Sequence, residues 1–373
     1  MTVPALSISR RLRNTPFTDR VNTAGVKSYT VYNHMLLPTS FKSMEEDYFH
    51  LKKHVQVWDV SCQRQVSVKG PDAAILMQRL TPRNLTKMVV GQCYYIPIVD
   101  DQGGMLNDPV TLKLAEDHYW ISIADGDLLL WVKALAIGFG LTVSIEEPDV
   151  FPLAIQGPKS AELLERVFGP AIHTIRFFRF QEFTFEGQSL IISRSGFSEQ
   201  GGFEIYVNDP DLASPLWDTL FKTGQDLQVR AGCPNLIERV ESGLLSFGND
   251  MTSANTPLEC GLGRFCQIEN ETNCIGHEAL KKGAKEGPAR QIRSIAIEGE
   301  PFISPCDDKW PLFDGEKHVG DVTSAVWSPD FKTNVALGMV NKSHWADGTS
   351  LTIKTPQGPR TATILEKCFT DRK

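Results

Sequence analysis

The amino-acid sequence predicts an α+β fold that ends in an all-β region. Three observations carry this. Helix-spaced and strand-spaced apolar patterns are interspersed as far as about residue 280, so the larger part of the chain mixes both element types. Short strand patterns then follow at 294–297, 317–324, 333–340, 350–354 and 361–365, separated by turn residues, as in a small barrel or sandwich. Between the two parts lies 281–293, where Lys-Lys-Gly-Ala-Lys-Glu-Gly-Pro reads as a linker.

Taken in order, 15–21 opens with a short helix, 27–32 alternates as a strand, and 33–41 reads as an apolar loop. Residues 43–54 have helical spacing, with Ser43 as N-cap and Glu46 as its capping-box partner. Strands follow at 55–60 and 65–70, then a helix started by Pro71-Asp72 and ending near Leu80. Asp100-Asp101-Gln102-Gly103-Gly104 is a hairpin turn flanked by 94–99 and 105–114, and 118–124 is a further strand. Residues 126–137 read as a helix that passes through Gly138 and Gly140 into a strand at 141–145; Lys133 and the glycines argue against a membrane span. After a strand at 151–156 come a helix at 157–168, a second hairpin at 191–207, a helix at 213–224 and another at 235–246, where Leu236, Val240, Leu244 and Phe247 form one stripe.

The second hairpin holds the most unusual residue. Gly196, Gly201 and Gly202 suit a tight loop that needs positive φ, and no Lys-Ser/Thr pair makes it a phosphate loop. Glu204 then stands inside an apolar strand between Phe203 and Ile205. Alternation puts such a charge on the wet face of a half-buried strand; pointing inward, it would need partners. Asp108, just after the first hairpin, reads either as a turn-flanking carboxylate or as a functional one, and Arg239, between Glu238 and Glu241, as half of a surface ion pair.

Composition excludes several function classes. Hydrophobic residues make up 41% and charged residues 22%, so a packed protein is expected. With a formal net charge of −7 and no dense Lys/Arg block, nucleic-acid and anionic-membrane binding lack electrostatic support. The eight cysteines include no C-x-x-C pair and read as reduced, scattered thiols, with Cys62 a buried structural one. His50 and His54 have i, i+4 spacing but Lys52 and Lys53 between them, which suits a surface helix face better than a metal site. No secretory signal is legible at the N-terminus, and a cytoplasmic location is expected.

Ordered motifs then cover nearly the whole chain: Asp59-Val60-Ser61, Lys69-Gly70-Pro71-Asp72-Ala73, Gly103-Gly104-Met105-Leu106-Asn107-Asp108, Gln156-Gly157-Pro158, the 194–205 stretch, the run from Arg239 to Gly248-Asn249-Asp250, Thr256-Pro257-Leu258-Glu259, and Val322-Thr323-Ser324 with Ser328-Pro329. In this order they resemble the aminomethyltransferase family, that of the glycine-cleavage T-protein. Within it, 25–34, 45–48, 54–62 and 233–250 are most similar to the branch that demethylates dimethylsulfoniopropionate. Cys62 stands where T-proteins usually have His, and Asn107 replaces the first Asp of a D-D pair; both departures favour a methyl donor other than an aminomethyl-lipoyl arm.

The resemblance implies a T-protein-like three-domain ring: two interleaved α+β domains over 1–286, which bind folate, and a C-terminal β-barrel over 287–373. It implies tetrahydrofolate as cofactor and methyl transfer from a small sulfonium to its N5, with no obligatory protein partner, no nucleic acid and no membrane; a homodimer stays open. Glu204 matches the family's pterin-binding Glu, since a carboxylate accepts a ring N–H and an amino group together. Asp108 matches the Asp facing the reactive folate nitrogens, Arg239 an Arg toward the glutamyl tail, and Tyr95 a stacking residue. For the sulfonium, Tyr206, two residues beyond Glu204 and so on the same strand face, is the first aromatic candidate, followed by Phe197, Tyr32 and Trp58. Lys27 and Ser122 are candidates for the substrate carboxylate. Other readings of the same likeness are a glycine-cleavage aminomethyltransferase, a betaine-type demethylase, and a non-catalytic folate-binding factor for iron–sulfur assembly, whose K-G-C-Y motif the sequence lacks.

Overall fold

A computed structural model describes residues 9–269 and 272–372. The chain forms two compact units: residues up to 65 with 147–196 and 200–234, and residues 66–146 with 197–199 and the chain from 235 on.

The first unit is built on a six-stranded sheet in the order Phe180–Phe185, Gln188–Ser193, Gly202–Val207, Phe151–Gln156, Gln56–Asp59, Arg230–Gly232. Only the last pair is parallel. Phe203, Ile205 and Val207 alternate onto one face and join a core with Leu163 and Leu164 of the Ser160–Phe168 helix and Leu216, Trp217 and Leu220 of the Ala213–Thr223 helix. Burial at this level stabilises by about 1.5–3 kcal/mol per large apolar side chain. The other face is covered as well: Trp58 and Ala154 pack with Leu51 and Val60. The Gly202–Val207 strand is therefore buried on both sides, which overturns the wet-face expectation for Glu204.

Other expectations change for local reasons. Residues 33–41 are not a loop: Met35–Ser40 pairs with Ser28–Tyr32, and the turn is Asn33-His34, both at positive φ, the geometry of a two-residue hairpin. The second helix of the 235–246 region spans only Leu236–Ser242. Asn235 Oδ1 caps it by accepting from the Ile237 and Glu238 amides, and Gly243 ends it with φ of 71°. His50 is buried, not on a surface: its Nε2 donates to the Gln228 carbonyl at 2.9 Å, and burial first, then the nearby Arg230 charge, push its pKa down to about 4.

The second unit carries a five-stranded sheet in the order Ser144–Glu146, Gln65–Lys69, His118–Ser122, Val110–Ala115, Gln92–Tyr95. The helices Ala73–Leu80 and Leu128–Gly138 share its core. A closed barrel follows, in the order Arg290–Ile297, Thr333–Asn341, Lys317–Ser328, Trp310–Asp314, Ser350–Thr355, Gly358–Leu365. It has one strand more than the pattern showed, because Pro311 hides Trp310–Asp314. The linker at 281–293 shrinks to 287–289: His277–Glu286 is a helix anchored by Leu280, and its lysines are ordinary helix formers. All eight cysteines are free thiols. Among the described residues no helix is long and apolar enough to cross a membrane.

Candidate functional site

Two enclosed carboxylates, the buried Glu204 in the first unit and the half-buried Asp108 in the second, have no cation partner among the described residues, a property they share with Asp59, which the Thr15 and Ser61 hydroxyls hold. In the first unit, Glu204 is 7% exposed. Strand register sets it in a row with Ser193 on one side and Ala154, Trp58 and Gly232 on the other. The Ser195 hydroxyl donates to Glu204 Oε2, and the Ser193 and Ser195 hydroxyls lie 2.6 Å apart. The Tyr206 hydroxyl is a further donor to Glu204. Burial raises the Glu204 pKa, while the Ser195 and Tyr206 hydrogen bonds hold the rise back. Trp58 is wholly enclosed, and its indole N–H donates to Gln56 Oε1 at 2.8 Å.

In the second unit, Asp108 follows the Met105–Asn107 strand. The Tyr95 hydroxyl donates to Asp108 Oδ2 at 2.9 Å, whereas Oδ1 is enclosed with no hydrogen-bond partner among the described residues. Burial pushes this carboxyl up to about 7 against the pull of the Tyr95 hydroxyl, and the charge of Asp250 adds to the rise. A buried acid that titrates near neutrality with one oxygen unsatisfied is suited to take up a proton or a hydrogen bond from a ligand. Tyr95 is itself fixed. Its ring meets Phe265 edge-on at 5.1 Å, and its carbonyl accepts from Arg83 Nη1 at 2.6 Å. The Arg83 guanidinium covers the Tyr94 ring at 4.0 Å.

Asn107 shows why an amide occupies that place. Its Nδ2 donates to the Ala124 and Asp125 carbonyls, and its Oδ1 accepts from the Ala124 amide. A carboxylate could not make the two donations.

Arg239 is buried, not at a surface. Its guanidinium pairs with Asp250 Oδ2 at 2.8 Å and donates to Ser324 Oγ at 2.8 Å. Asp250 Oδ1 also accepts from Thr323 and Ser324. The helix face foreseen as a surface pair with Glu238 and Glu241 is thus a buried polar network.

The remaining candidates are spread out. Ser122 is buried on the His118–Ser122 strand opposite Val110. Phe197 is half-buried and belongs to the second unit. Tyr32, half-buried, ends the first strand of the 28–40 hairpin. Lys27 is exposed, with its ammonium on the Lys42 carbonyl. The structure thus joins Glu204 with Tyr206, and Asp108 with Tyr95, by direct hydrogen bonds. Reading the sequence assigned no role to Ser193, Ser195, Asp250 or Gln156. The last three lie inside recognised motifs, and that was the available signal.

Comparison with known proteins matches this architecture. A model of the GCVT N-terminal domain matches residues 17–270, and one of the glycine cleavage T-protein C-terminal barrel domain matches 290–371. The chain is 59% identical over 358 residues to the dimethylsulfoniopropionate demethylase DmdA of Ruegeria pomeroyi, covering 96% of this chain and 97% of that protein. It is 28% identical over 356 residues to an aminomethyltransferase of Lysinibacillus sphaericus, covering 93% and 95%. The crystal structure of the glycine cleavage system aminomethyltransferase T from Bartonella henselae is similar in fold, with a TM-score of 0.86 at 23% identity over 96% of this chain and 98% of that one.

Proposed function

Because the chain belongs to the glycine-cleavage T-protein family, we propose that it is a tetrahydrofolate-dependent demethylase, which moves a methyl group from the sulfonium of dimethylsulfoniopropionate to N5 of tetrahydrofolate. The products are methylmercaptopropionate and 5-methyltetrahydrofolate. The observation that carries the choice of donor is the 59% identity to the Ruegeria demethylase along nearly the full length of both chains.

The residues fit the folate. Glu204 offers a buried acceptor, held by hydroxyls and unpaired with any described cation, to the adjacent N–H and amino donors of a pterin. Asp108 offers the unsatisfied Oδ1. Tetrahydrofolate, when bound, supplies the nucleophilic N5. The methyl carbon's bond to sulfur breaks as its bond to N5 forms, and the sulfur leaves as a neutral thioether. No protein nucleophile or acid is required, so positioning dominates the rate. Asp108 takes the proton that N5 gives up. Tyr95 holds the Asp108 carboxylate through Oδ2 and keeps it partly ionised near neutrality. Tyr206, on the strand face of Glu204, offers its ring to the sulfonium, with Phe197, Trp58 and Tyr32 as further aromatic candidates. Lys27 and Ser122 are assigned to the substrate carboxylate, and the Arg239 charge to the folate tail.

Proton NMR of the purified protein with tetrahydrofolate and dimethylsulfoniopropionate, and no other protein, tests this. The expected signals are the N-methyl of 5-methyltetrahydrofolate and the S-methyl of methylmercaptopropionate. If methyl transfer is absent while an aminomethylated lipoyl carrier is turned over, the demethylase reading falls.

A further inference from the structure

We propose that Gln156 is a positioning residue for Glu204: its carboxamide braces the 194–202 loop so that the Ser195 hydroxyl stays on the Glu204 carboxylate. The proposal rests on the folate reading above and specifies how that carboxylate is held.

Gln156 ends the Phe151–Gln156 strand, opposite Gly202 on one side and Gln56 on the other. It is fully buried. Its Nε2 donates to the Ser195 carbonyl at 3.3 Å and to the Phe203 carbonyl at 3.4 Å, so one amide spans the loop near its start and beyond its end. Both bonds are long, and neither is strong alone. Space fixes the amide more firmly. A Cβ on Gly196 would lie 2.1 Å from Gln156 Nε2 and 2.3 Å from its Oε1, and a Cβ on Gly202 would lie 2.4 Å from Nε2. These glycines leave the room that the amide fills. At Gly202, where φ is not positive, close approach and not backbone freedom requires the glycine.

Ser195 is the next link. Its carbonyl accepts from Gln156, its hydroxyl donates to Glu204 Oε2, and the Ser193 hydroxyl lies 2.6 Å from it. Ser193 stands directly opposite Glu204 in the strand pair. Around Glu204 the described residues supply hydroxyls and no charged group: Ser195 and Tyr206 bear on its ionisation, while Ala154 and Ser193 flank it on the neighbouring strands. If the loop shifts, the carboxylate loses a donor that favours its ionised form.

The experiment is calorimetric titration of the full-length protein with tetrahydrofolate as a function of pH. It compares wild type with Gln156→Ala, Gln156→Met, Ser195→Ala, the Gln156→Ala/Ser195→Ala double variant, and Glu204→Gln as control. Losing one hydrogen bond corresponds to a roughly 2- to 12-fold loss of affinity in Gln156→Ala, and losing the bond to the charged carboxylate to a roughly 10- to 150-fold loss in Ser195→Ala. In both, the pH below which folate affinity falls moves upward, because the carboxylate is harder to ionise. The double variant is expected to lose no more than Ser195→Ala alone, since Gln156 acts through Ser195. Gln156→Met fills the space without donating, so it keeps thermal stability but not the wild-type pH midpoint. A wild-type midpoint in Gln156→Met, or additive losses in the double variant, overturns the proposal. So does an unmoved midpoint in Gln156→Ala when Glu204→Gln weakens binding. If the wild type binds no tetrahydrofolate, the functional reading itself fails.

Discussion

Tyr95→Phe isolates the role of Asp108. It removes the hydroxyl that donates to Oδ2 at 2.9 Å and keeps the ring that packs on Phe265. Both Asp108 oxygens then lack that donor, since Oδ1 is already without a partner. A hydrogen bond to a charged group is worth about 1.5–3 kcal/mol, and about 1.36 kcal/mol corresponds to one pKa unit. The Asp108 pKa, about 7 in the wild type, therefore rises by roughly one to two units. Only the ionised carboxylate accepts the proton, so turnover falls as pH drops through this pKa. At pH 7 the ionised fraction drops from about one half to between roughly one tenth and one hundredth, a loss of about 5- to 50-fold in kcat. Well above the shifted pKa the two enzymes converge. The assay is the pH dependence of kcat, read as formation of methylated folate at saturating substrates. An acid limb that stays where the wild type has it, or a loss uniform across pH, refutes this reasoning.

Three further substitutions act on the same groups. Glu204→Gln is expected to preserve the fold and weaken tetrahydrofolate binding by about 1.5–3 kcal/mol, because a charged acceptor is lost; calorimetry checks it. Asp108→Asn should nearly abolish turnover yet stabilise the unliganded protein. The folded-state pKa lies above the unfolded value of 3.8, so ionising Asp108 costs stability as pH rises from about 4 to about 7, on the order of a few kcal/mol. Denaturation at pH 8 should show the gain, and it should vanish near pH 4. Asp250→Asn leaves Arg239 buried beside a neutral partner and should cost about 3–5 kcal/mol of stability by urea denaturation. Because the Asp250 charge helps raise the Asp108 pKa, the same variant should move the acid limb of kcat downward, opposite to Tyr95→Phe.

Much of this was legible in the residues, and the failures have physical causes. The hairpins at 98–107 and 188–207, the helix beginning at Ser160 and the all-β end follow from apolar period and turn chemistry. Asn33-His34 was opaque because a two-residue hairpin turn without glycine looks like loop polarity. The lysines of 281–286 imitate a linker, and only the burial of Leu280 shows that the segment is a packed helix. Glu204 misled most directly. Alternation assumes one wet face, and this strand lies inside a sheet covered on both sides. Arg239 looked like a surface charge because its partner, Asp250, is local in sequence but lies past the helix that Gly243 ends. Resemblance to a family pointed to Glu204, Asp108 and Arg239 and named Tyr95 and Tyr206 as aromatic rings, but not as hydroxyl donors, and it did not point to Ser195 or Gln156, because a hydroxyl or a carboxamide leaves no charge pattern to read.

The buried acids divide by what holds them. Asp250 is matched by a guanidinium and three hydrogen-bond donors, so its charge is settled within the fold and it serves as structure. Glu204, buried, and Asp108, half-buried with its carboxyl enclosed, pair with no cation among the described residues and are held by hydroxyls, and Asp108 Oδ1 has no hydrogen-bond partner among those residues. A fold selected for stability alone would replace such a group with an apolar side chain or pair it with a cation. On the folate reading either change would weaken the chemistry: a paired Asp108 would stay ionised far below neutrality and be a poor proton acceptor, and a paired Glu204 would have less acceptor capacity left for a pterin. On the folate reading, Tyr95, which holds Asp108, and Ser195 with Gln156, which hold Glu204, are expected to affect turnover through those carboxylates.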